Sequence, residues 1–318
     1  MCISDKEEEV ETTSTTSTLT SNTIKEEEEE DDELYLKDIQ YQESKHLIID
    51  SHCHIQEDQE MISMVENQST YPMHCSWLMG TTVEDWDRVD RYADKMGDRA
   101  LRCYGIHPWF AYQYHPPKEL IDQKDNDGQY RIDDKWYIEL EKRLIKYPNA
   151  MVGELGIDKV TKVKATGKND LDGQWEVLKR QFKIAVDHNR LLSLHCVQLQ
   201  GKLLDYFISL PLDQFPKKIA LHTFSGKPAM VRSLLKLKDK GTRLYFGISF
   251  INLSSSKVLK LIEAIPDDRL LLESDQNTPE YAESSIYKVL VAISKAKNWS
   301  IKVSILNTQK NAIAFQNN

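Results

Sequence analysis

Two histidines placed two residues apart are the first residues of this chain whose type and spacing indicate chemistry. His52 and His54 directly follow the apolar run LIID. Alternate residues of a strand point to the same side, so a His-x-His pair at a strand end directs two imidazoles at one point. Imidazole nitrogen is a common ligand of divalent metals. The pair therefore indicates part of a metal site, although two histidines at this spacing also occur by chance.

Four more residues of ligand type stand at the ends of other short apolar segments. Glu154 ends AMVGE, His195 ends LLSLH, His222 ends KIALH, and Asp275 follows LLLES. A single histidine in such a place is more often a hydrogen-bonded core residue than a ligand. That interpretation does not account for six ligand-type residues that all follow strand-like segments.

The composition of this set predicts which ions it binds. Four imidazoles and two carboxylates suit Zn²⁺ or Mn²⁺, or Mg²⁺ where carboxylate and substrate phosphate dominate. Six ligands exceed one tetrahedral site, so we expect two divalent ions. A carboxylate such as Glu154 can bridge two ions that hold the oxygens of a phosphate undergoing displacement.

The elements that must position these residues are eight apolar segments of strand length. They are residues 46–50, 73–80, 101–106, 150–154, 191–195, 218–222, 243–249 and 269–273. Each is apolar nearly throughout, which is typical of a strand buried on both faces. Helix-like stretches lie between them, at 83–96, 133–146, 175–188, 228–240, 257–265 and 280–297. A doubly wound sheet is possible, but eight alternating strands favour an α/β fold of the (β/α)₈ TIM-barrel type, whose active sites lie at the C-terminal strand ends.

The net charge of −9 is unevenly distributed. Residues 1–45 hold 15 acidic residues against four lysines, which leaves residues 46–318 at about +2. The acidic and Ser/Thr-rich composition predicts a disordered tail over 1–45, followed by one hydrolase barrel over 46–318. The tail is either a solvating segment or a contact for a protein partner. A nearly neutral body argues against binding long duplexes by charge alone.

Other classes of protein lack support in this sequence. It has no apolar run of 18 residues, and its acidic start lacks the apolar core of a secretory signal. Five cysteines without a C-x-x-C pair indicate a reducing compartment, so we expect a cytoplasmic or nuclear protein without a membrane role. The chain contains no P-loop, dinucleotide-binding, H-E-x-x-H or G-x-S-x-G motif.

Several ordered motifs resemble those of one known family. IIDSHCH, VGELGID, LHCV, LHTFSG and LLESD, together with GIHPW and NAIAF, resemble the TatD family of metal-dependent deoxyribonucleases, in the amidohydrolase-like superfamily. The resemblance runs over residues 46–316. It implies a barrel, two metals and the hydrolysis of phosphodiester bonds, with removal of nucleotides from DNA ends as a family activity.

The resemblance also assigns roles to residues. His52, His54 and Asp275 bind the first metal, Glu154 bridges, and His195 and His222 bind the second metal. Asp275 is further expected to accept a proton from the attacking water. His107, in GIHPW, is expected to face the substrate phosphate.

Two stretches depart from the family pattern. Family members commonly carry an arginine shortly after the fifth-strand histidine, whereas this chain reads Cys196, Val197 and Gln198. Lys159 replaces an aromatic residue and could supply the missing cation, although a solvated basic loop is the simpler interpretation.

Gly226 precedes Lys-Pro in a turn that resembles a phosphate-binding turn before a helix.

The sequence leaves three functions open. The first is a 3′-to-5′ DNA exonuclease that uses a metal-activated water. The second is hydrolysis of an ester or amide, such as D-aminoacyl-tRNA, by the same metals. The third is a barrel retained as a protein-interaction module, which the missing arginine and the nearly neutral body favour and the six intact ligand positions oppose.

Overall fold

Eight parallel strands form a single sheet whose order in space is their order in the chain. The computed structural model describes residues 34–117 and 134–317. The strands are β1 Ile49–Cys53, β2 Cys75–Met79, β3 Ala100–Tyr104, β4 Met151–Asp158, β5 Leu192–Val197, β6 Ile219–Leu221, β7 Leu244–Ile248 and β8 Leu270–Leu272. Nearly every strand residue is buried, as continuous apolar runs require. The prediction of a (β/α)₈ barrel is therefore confirmed.

Strands β1 and β8 meet through residues that lie at and just beyond the end of β8. Ser51 Oγ donates to the Leu272 carbonyl at 2.9 Å. Ser274 donates to the Asp50 carboxylate twice, from its backbone N at 2.9 Å and from its hydroxyl at 2.6 Å. The Asp275 N–H then donates to the His52 carbonyl at 3.0 Å. This seam places Asp275 beside the His-x-His pair.

The described residues form eleven α-helices, most of them between strands. They are α1 Leu34–Lys37, α2 Ile39–Ser44, α3 Val83–Met96, α4 Ala111–Tyr114, α5 Lys135–Lys146, α6 Leu171–Asp187, α7 Gln200–Ser209, α8 Pro228–Leu235, α9 Val258–Ala264, α10 Pro279–Lys297 and α11 Ile301–Gln316. The Thr82 side chain caps α3 by accepting from the Asp85 N–H. Proline starts both α8 and α10, where its missing N–H costs nothing. None of these helices is long and apolar enough to cross a membrane.

The predicted helices all occur; α3 has the predicted ends, and the ends of the others are shifted. Helix α6 starts four residues before the predicted 175, because the Asp170 side chain caps it. Helix α8 ends at Leu235 rather than 240, and residues 238–243 form a tighter 3₁₀ turn. Helices α7 and α11 were not predicted. In the long predicted insertion between β3 and β4, residues 118–133 lie outside the described residues.

The predicted tail is too long, because residues 34–45 pack on the barrel. Tyr41 is fully buried, and its ring lies edge-on to Tyr287 with centroids 5.0 Å apart. Lys45 Nζ pairs with Glu283 Oε1 at 2.8 Å. The prediction was wrong here because the acidic average of 1–45 concealed the aromatic residue that docks this segment. The tail residues 1–33 lie outside the described residues.

The inside of the barrel is filled at the end opposite the ligand residues. Trp77 and Phe315 stack with ring centroids 5.2 Å apart, and Tyr245 lies edge-on to Phe315 at 5.1 Å. These rings share a buried cluster with Met151 and Leu271. The packed core leaves the C-terminal ends of the strands as the open face, where the polar side chains gather.

Candidate active site

The carboxylate of Glu154 is the centre of this polar cluster. It is 2% exposed. Five imidazoles surround it: Oε2 is 3.2 Å from His54 Nε2 and 3.3 Å from His52 Nε2, while Oε1 is 2.9 Å from His195 Nδ1, 3.4 Å from His107 Nε2 and 3.7 Å from His222 Nε2. Burial raises the pKa of Glu154, but the surrounding imidazoles outweigh burial and hold that pKa well below its usual range. The carboxylate is therefore an anion at neutral pH.

The His-x-His pair has one ring nitrogen of each residue directed at Glu154. His54 Nδ1 donates to the Met79 carbonyl at 3.0 Å, which fixes its Nε2 toward the cluster. His52 Nδ1 lies 3.1 Å from Ser193 Oγ, and its Nε2 is 3.2 Å from His54 Nε2. Burial lowers the pKa of His52, which keeps this imidazole neutral, the form that binds a metal. Burial also lowers the pKa of His54, but Glu154 outweighs burial and raises it to about 10.

His222 lies against His52 and is oriented by a buried carboxylate. The two rings stack with centroids 3.3 Å apart and planes 15° apart. Two cationic rings at this separation would repel strongly, so at most one of the two is protonated. Burial lowers the pKa of His222, but the carboxylates of Asp275, Glu154 and Glu273 outweigh burial and raise it. His222 Nδ1 donates to Glu273 Oε2 at 3.2 Å, and its Nε2 lies 3.5 Å from Asp275 Oδ2. Such a pairing fixes the tautomer that presents Nε2 to the cluster.

Asp275 closes the cluster from the β8 side. Its Oδ1 is 3.9 Å from His54 Nε2, and its Oδ2 accepts from Thr223 Oγ1 at 3.1 Å. The backbone of Asp275 is left-handed, with φ of 56°, and its N–H is held by the His52 carbonyl. The seam between β8 and β1 thus sets the direction of this carboxylate.

His107 and His195 form the opposite side of the cluster. Their ring centroids are 4.5 Å apart. His107 Nδ1 accepts from the Trp109 N–H at 3.2 Å, so in the neutral ring the proton is on Nε2, facing Glu154. Burial lowers the pKa of His107 to about 4. His195 Nε2 is buried without a hydrogen-bond partner among the described residues, 3.6 Å from Asp158 Oδ2.

These side chains fit divalent metals. Three groups have one ligand atom per residue within 4.8 Å of one another: His52, His54 and Asp275; His52, Glu154 and His222; and His107, Glu154 and His195. Imidazole nitrogen with carboxylate oxygen is a donor set for Zn²⁺ or Mn²⁺. The unpartnered, buried Nε2 of His195 is the kind of polar atom that an ion would satisfy.

One known protein family matches this chain over most of its length. The model of the family described as "TatD related DNase" matches residues 49–316. The chain belongs to this family. The resemblance seen in the sequence motifs is therefore confirmed, and the chain is a hydrolase of the TatD type.

Individual relatives are distant but cover most of the chain. It is 25% identical to the Cut9-interacting protein scn1 of Schizosaccharomyces pombe, over 84% of this chain and 98% of that protein. It is 22% identical to the uncharacterized deoxyribonuclease YMR262W of Saccharomyces cerevisiae, over 72% of this chain and 83% of that protein. The crystal structure of YjjV, a TatD homologue from Escherichia coli, aligns with a TM-score of 0.64 at 18% identity, over 85% of this chain and 97% of that one. This structural match shows the shared barrel.

The structure brings all six residues expected to be TatD-type ligands together at one rim. The resemblance placed His195 and His222 on the second metal, and their ring centroids are 6.1 Å apart, which two imidazoles on one ion permit. Donor atoms within 4.8 Å of one another also group His222 with His52 and Glu154, and His195 with His107 and Glu154. His107 was expected to face the substrate phosphate; it is 4% exposed, and its Nε2 lies 3.4 Å from Glu154 Oε1.

The other two residues predicted to contact phosphate have different positions. Gly226 lines a cleft of about 490 Å³ that also includes His195, His222 and Asp275. Lys159 is exposed and is absent from the lining of this cleft, which instead includes Lys227 and Lys257. Lys159 thus lies outside the cleft lining, and its contact with phosphate stays a prediction.

Sequence reasoning missed three residues that shape the site, although each lies in a motif quoted above. Glu273 belongs to LLESD, Asp158 to VGELGID, and Trp109 to GIHPW. Trp109 Nε1 donates to Asp158 Oδ2 at 2.8 Å, and two further N–H groups donate to Asp158 Oδ1. Burial raises the pKa of Asp158, but the contacts with His195 and Trp109 outweigh it and hold that pKa below its usual range. Lys257 lies in no motif, so nothing in the sequence indicated it.

Proposed function

We propose that this chain is a metal-dependent phosphodiesterase that removes nucleotides from the 3′ ends of DNA. The observation that supports it most directly is the position of Glu154, whose two carboxylate oxygens face different sets of imidazoles. A carboxylate so placed suits a site for two ions. The deoxyribonuclease YMR262W, as a relative, supports nucleic acid as the substrate class.

Six residues would hold the ions. His52, His54 and Asp275 would hold one ion, His195 and His222 would hold the other, and Glu154 would contribute to both. When bound, two divalent ions lower the pKa of a water and neutralise charge on the phosphate oxygens.

Asp275 is the proposed proton acceptor for the attacking water. Its Oδ2 is occupied by the Thr223 hydroxyl, while its Oδ1 has only the distant His54 nitrogen at 3.9 Å among the contacts described. Thr223 and the backbone seam hold the carboxylate in one orientation, so little reorganisation precedes proton transfer. Glu273 has a separate task, which is to keep Nε2 of His222 directed into the site.

Substrate approaches from the cleft side of the cluster. His52, Glu154 and His222 are buried, whereas the side chains of His54 and His195 are 14% and 13% exposed. The partly exposed members are those a phosphate can reach. Burial of the others excludes competing water and strengthens their electrostatic contacts.

An end-label assay tests the proposal. Single-stranded oligonucleotides labelled at either end, a chromogenic phosphodiester and a D-aminoacyl-tRNA are incubated with Mg²⁺, Mn²⁺ or Zn²⁺, or with EDTA. We expect stepwise release from the 3′ end, with none in EDTA. Glu154→Gln should abolish it, and Glu263→Gln, at an exposed position of α9, should not. Deacylation of the tRNA without cleavage of DNA would contradict the proposal in favour of ester hydrolysis.

A second candidate role is protein binding, and it is compatible with the first. The relative scn1 is named for its interaction with Cut9. Helices α1 and α2 expose Leu36 and Ile39, which are 55% and 73% exposed, on a segment that is itself docked on the barrel. Ile39→Asp should abolish such binding and leave hydrolysis unchanged. Binding that survives this variant would mean that the partner does not use the surface formed by α1 and α2.

The cytosol or nucleus suits the described cysteines, all of which are free thiols.

A further inference from the structure

The cleft beside the metal cluster has walls that a phosphate alone does not require. It encloses about 490 Å³, within the range of about 300–1,000 Å³ found for small-molecule sites. Acids and imidazoles of the cluster lie at one end, and the remaining lining is mostly apolar. We propose that this cleft holds the terminal nucleobase of the substrate strand, with Trp109 as its stacking surface and Lys227 and Lys257 as phosphate contacts. This inference rests on the proposed function.

Trp109 is an exposed aromatic ring that is nevertheless fixed in place. It is 53% exposed, although a large apolar side chain gains most by burial. Its Nε1 is bonded to Asp158 at 2.8 Å, and its ring meets the His107 ring edge-on at 84°, with centroids 4.8 Å apart. An aromatic face held in advance costs little conformational entropy on binding. Trp109 is therefore prepared to stack with a flat ligand.

The segment after β7 supplies apolar wall. Ile251 is 57% exposed, and Val258 and Leu261 of α9 also line the cleft. Nucleobases have apolar faces and polar edges, so they suit a space between an indole and aliphatic side chains. A bare phosphate gains nothing from this apolar surface.

One polar side chain in the cleft lining, that of Asn252, is already bonded to the protein. The Asn252 amide accepts from the Ser249 N–H at 2.9 Å and donates to the Phe224 carbonyl at 3.3 Å. One amide N–H and one oxygen lone pair remain, but Asn252 is only 7% exposed, so little of its side chain can reach the edge of a base. We therefore expect the cleft to accept different bases with similar affinity, as stacking does.

The ammonium groups of two lysines in the cleft lining are unpaired within the part of the chain that the structure describes. Neither Lys227 nor Lys257 has a side-chain hydrogen bond or ion pair within residues 34–117 and 134–317. By contrast, the ammonium groups of Lys240 and Lys297 donate hydrogen bonds to backbone carbonyls. Unpaired ammonium groups next to the cluster can bind phosphate as point charges. They provide the positive charge that the stretch after His195 lacks.

Calorimetric titration of the full chain in Mg²⁺ tests the inference with three ligands: dAMP, dTMP and deoxyribose 5-phosphate. We expect dAMP and dTMP to bind within about threefold of each other, and both roughly 5- to 150-fold more tightly than the base-free sugar phosphate, the range that stacking one base gives. Trp109→Ala should remove this preference. Tyr281→Ala, which deletes an equally exposed ring (54%) on α10, should not.

The lysines are tested by the same titrations. Lys227→Ala and Lys257→Ala should weaken all three ligands by the same factor, because charge does not distinguish the base. Lys236→Ala removes an exposed lysine at the end of α8 that is not in the cleft lining, and it should have no effect. Circular dichroism of each variant establishes that it is folded.

The inference and the proposed function fail in different ways. Equal affinity for dAMP and deoxyribose 5-phosphate, or a Trp109→Ala variant that keeps the preference, overturns the nucleobase site. Hydrolysis of bis(4-nitrophenyl) phosphate by the wild-type chain reports on the metal centre separately. If the chain binds dAMP as expected but cleaves no phosphodiester, the proposed function fails and the nucleotide site stands.

Discussion

Glu273 accepts a hydrogen bond from His222 Nδ1 at 3.2 Å, so that a residue just after β8 orients a residue just after β6. The same carboxylate oxygen accepts from the Thr223 N–H at 2.9 Å. Glu273 is fully buried, and burial raises its pKa, whereas His222 lowers it. Burial of an acid costs free energy unless the acid is paired, and Glu273 is paired with the His222 imidazole and the Thr223 N–H.

We predict that Glu273→Ala lowers the affinity for metal about 10- to 100-fold, because His222 loses its fixed tautomer and ring orientation. Glu273→Gln should lower the affinity for metal less, since the amide oxygen can still accept a hydrogen bond from His222 Nδ1. Titration with Zn²⁺ or Mn²⁺ measures the affinity of each variant. Equal affinity of wild type and Glu273→Ala would show that His222 needs no such partner.

Metal should also stabilise the fold. An ion that binds the folded chain alone adds about 2.7 kcal/mol to the free energy of unfolding when present at 100 times its Kd. We expect the melting temperature to rise with Mn²⁺ and to fall again with EDTA. His52→Ala should reduce the rise, because His52 belongs to two of the candidate groups. An unchanged melting temperature in wild type would count against a resident ion.

Most of the fold follows from the sequence because nearly every strand residue is buried. An apolar run such as LLSLH predicts a strand without knowledge of the neighbouring strands. The alternation of such strands with helices then leaves few possible topologies. Helix α11 escaped prediction because apolar residues are spread around it rather than along one stripe. The docking of Tyr41 on Tyr287 escaped because it depends on residues about 250 positions apart.

The site was predictable as a set of residues and not as a geometry. Strand ends indicated which six side chains would meet, since all parallel strands end at one face of a barrel. They did not indicate that the rings of His52 and His222 would stack, which depends on the strand tilt and the side-chain rotamers. Lys257 was invisible for another reason, since it lies at the start of an ordinary helix and only the fold brings it to the cleft.

The buried thiol of Cys75 predicts how stability varies at high pH. Burial raises the pKa of Cys75 from 9.0 to about 12. Between these values the unfolded chain has lost this proton and the folded chain retains it, so the free energy of unfolding falls as pH rises. Urea unfolding at pH 8 and pH 10 should show a smaller decrease in Cys75→Ala than in wild type. An identical decrease would mean that the thiol ionises freely in the folded chain.

Docking of the N-terminal helices should contribute measurably to stability. Tyr41 is fully buried between Tyr35 and Tyr287, with centroids 5.9 Å and 5.0 Å away. Replacing a buried aromatic ring with alanine costs about 3–5 kcal/mol, so Tyr41→Ala should lower the free energy of urea unfolding by that order. Ile39→Ala is the control, because its side chain is 73% exposed and such changes stay within about 0.5 kcal/mol. A Tyr41→Ala variant as stable as the control would mean that α2 detaches from the barrel in solution, and the boundary predicted at residue 45 would then describe the chain better than the docked helices do.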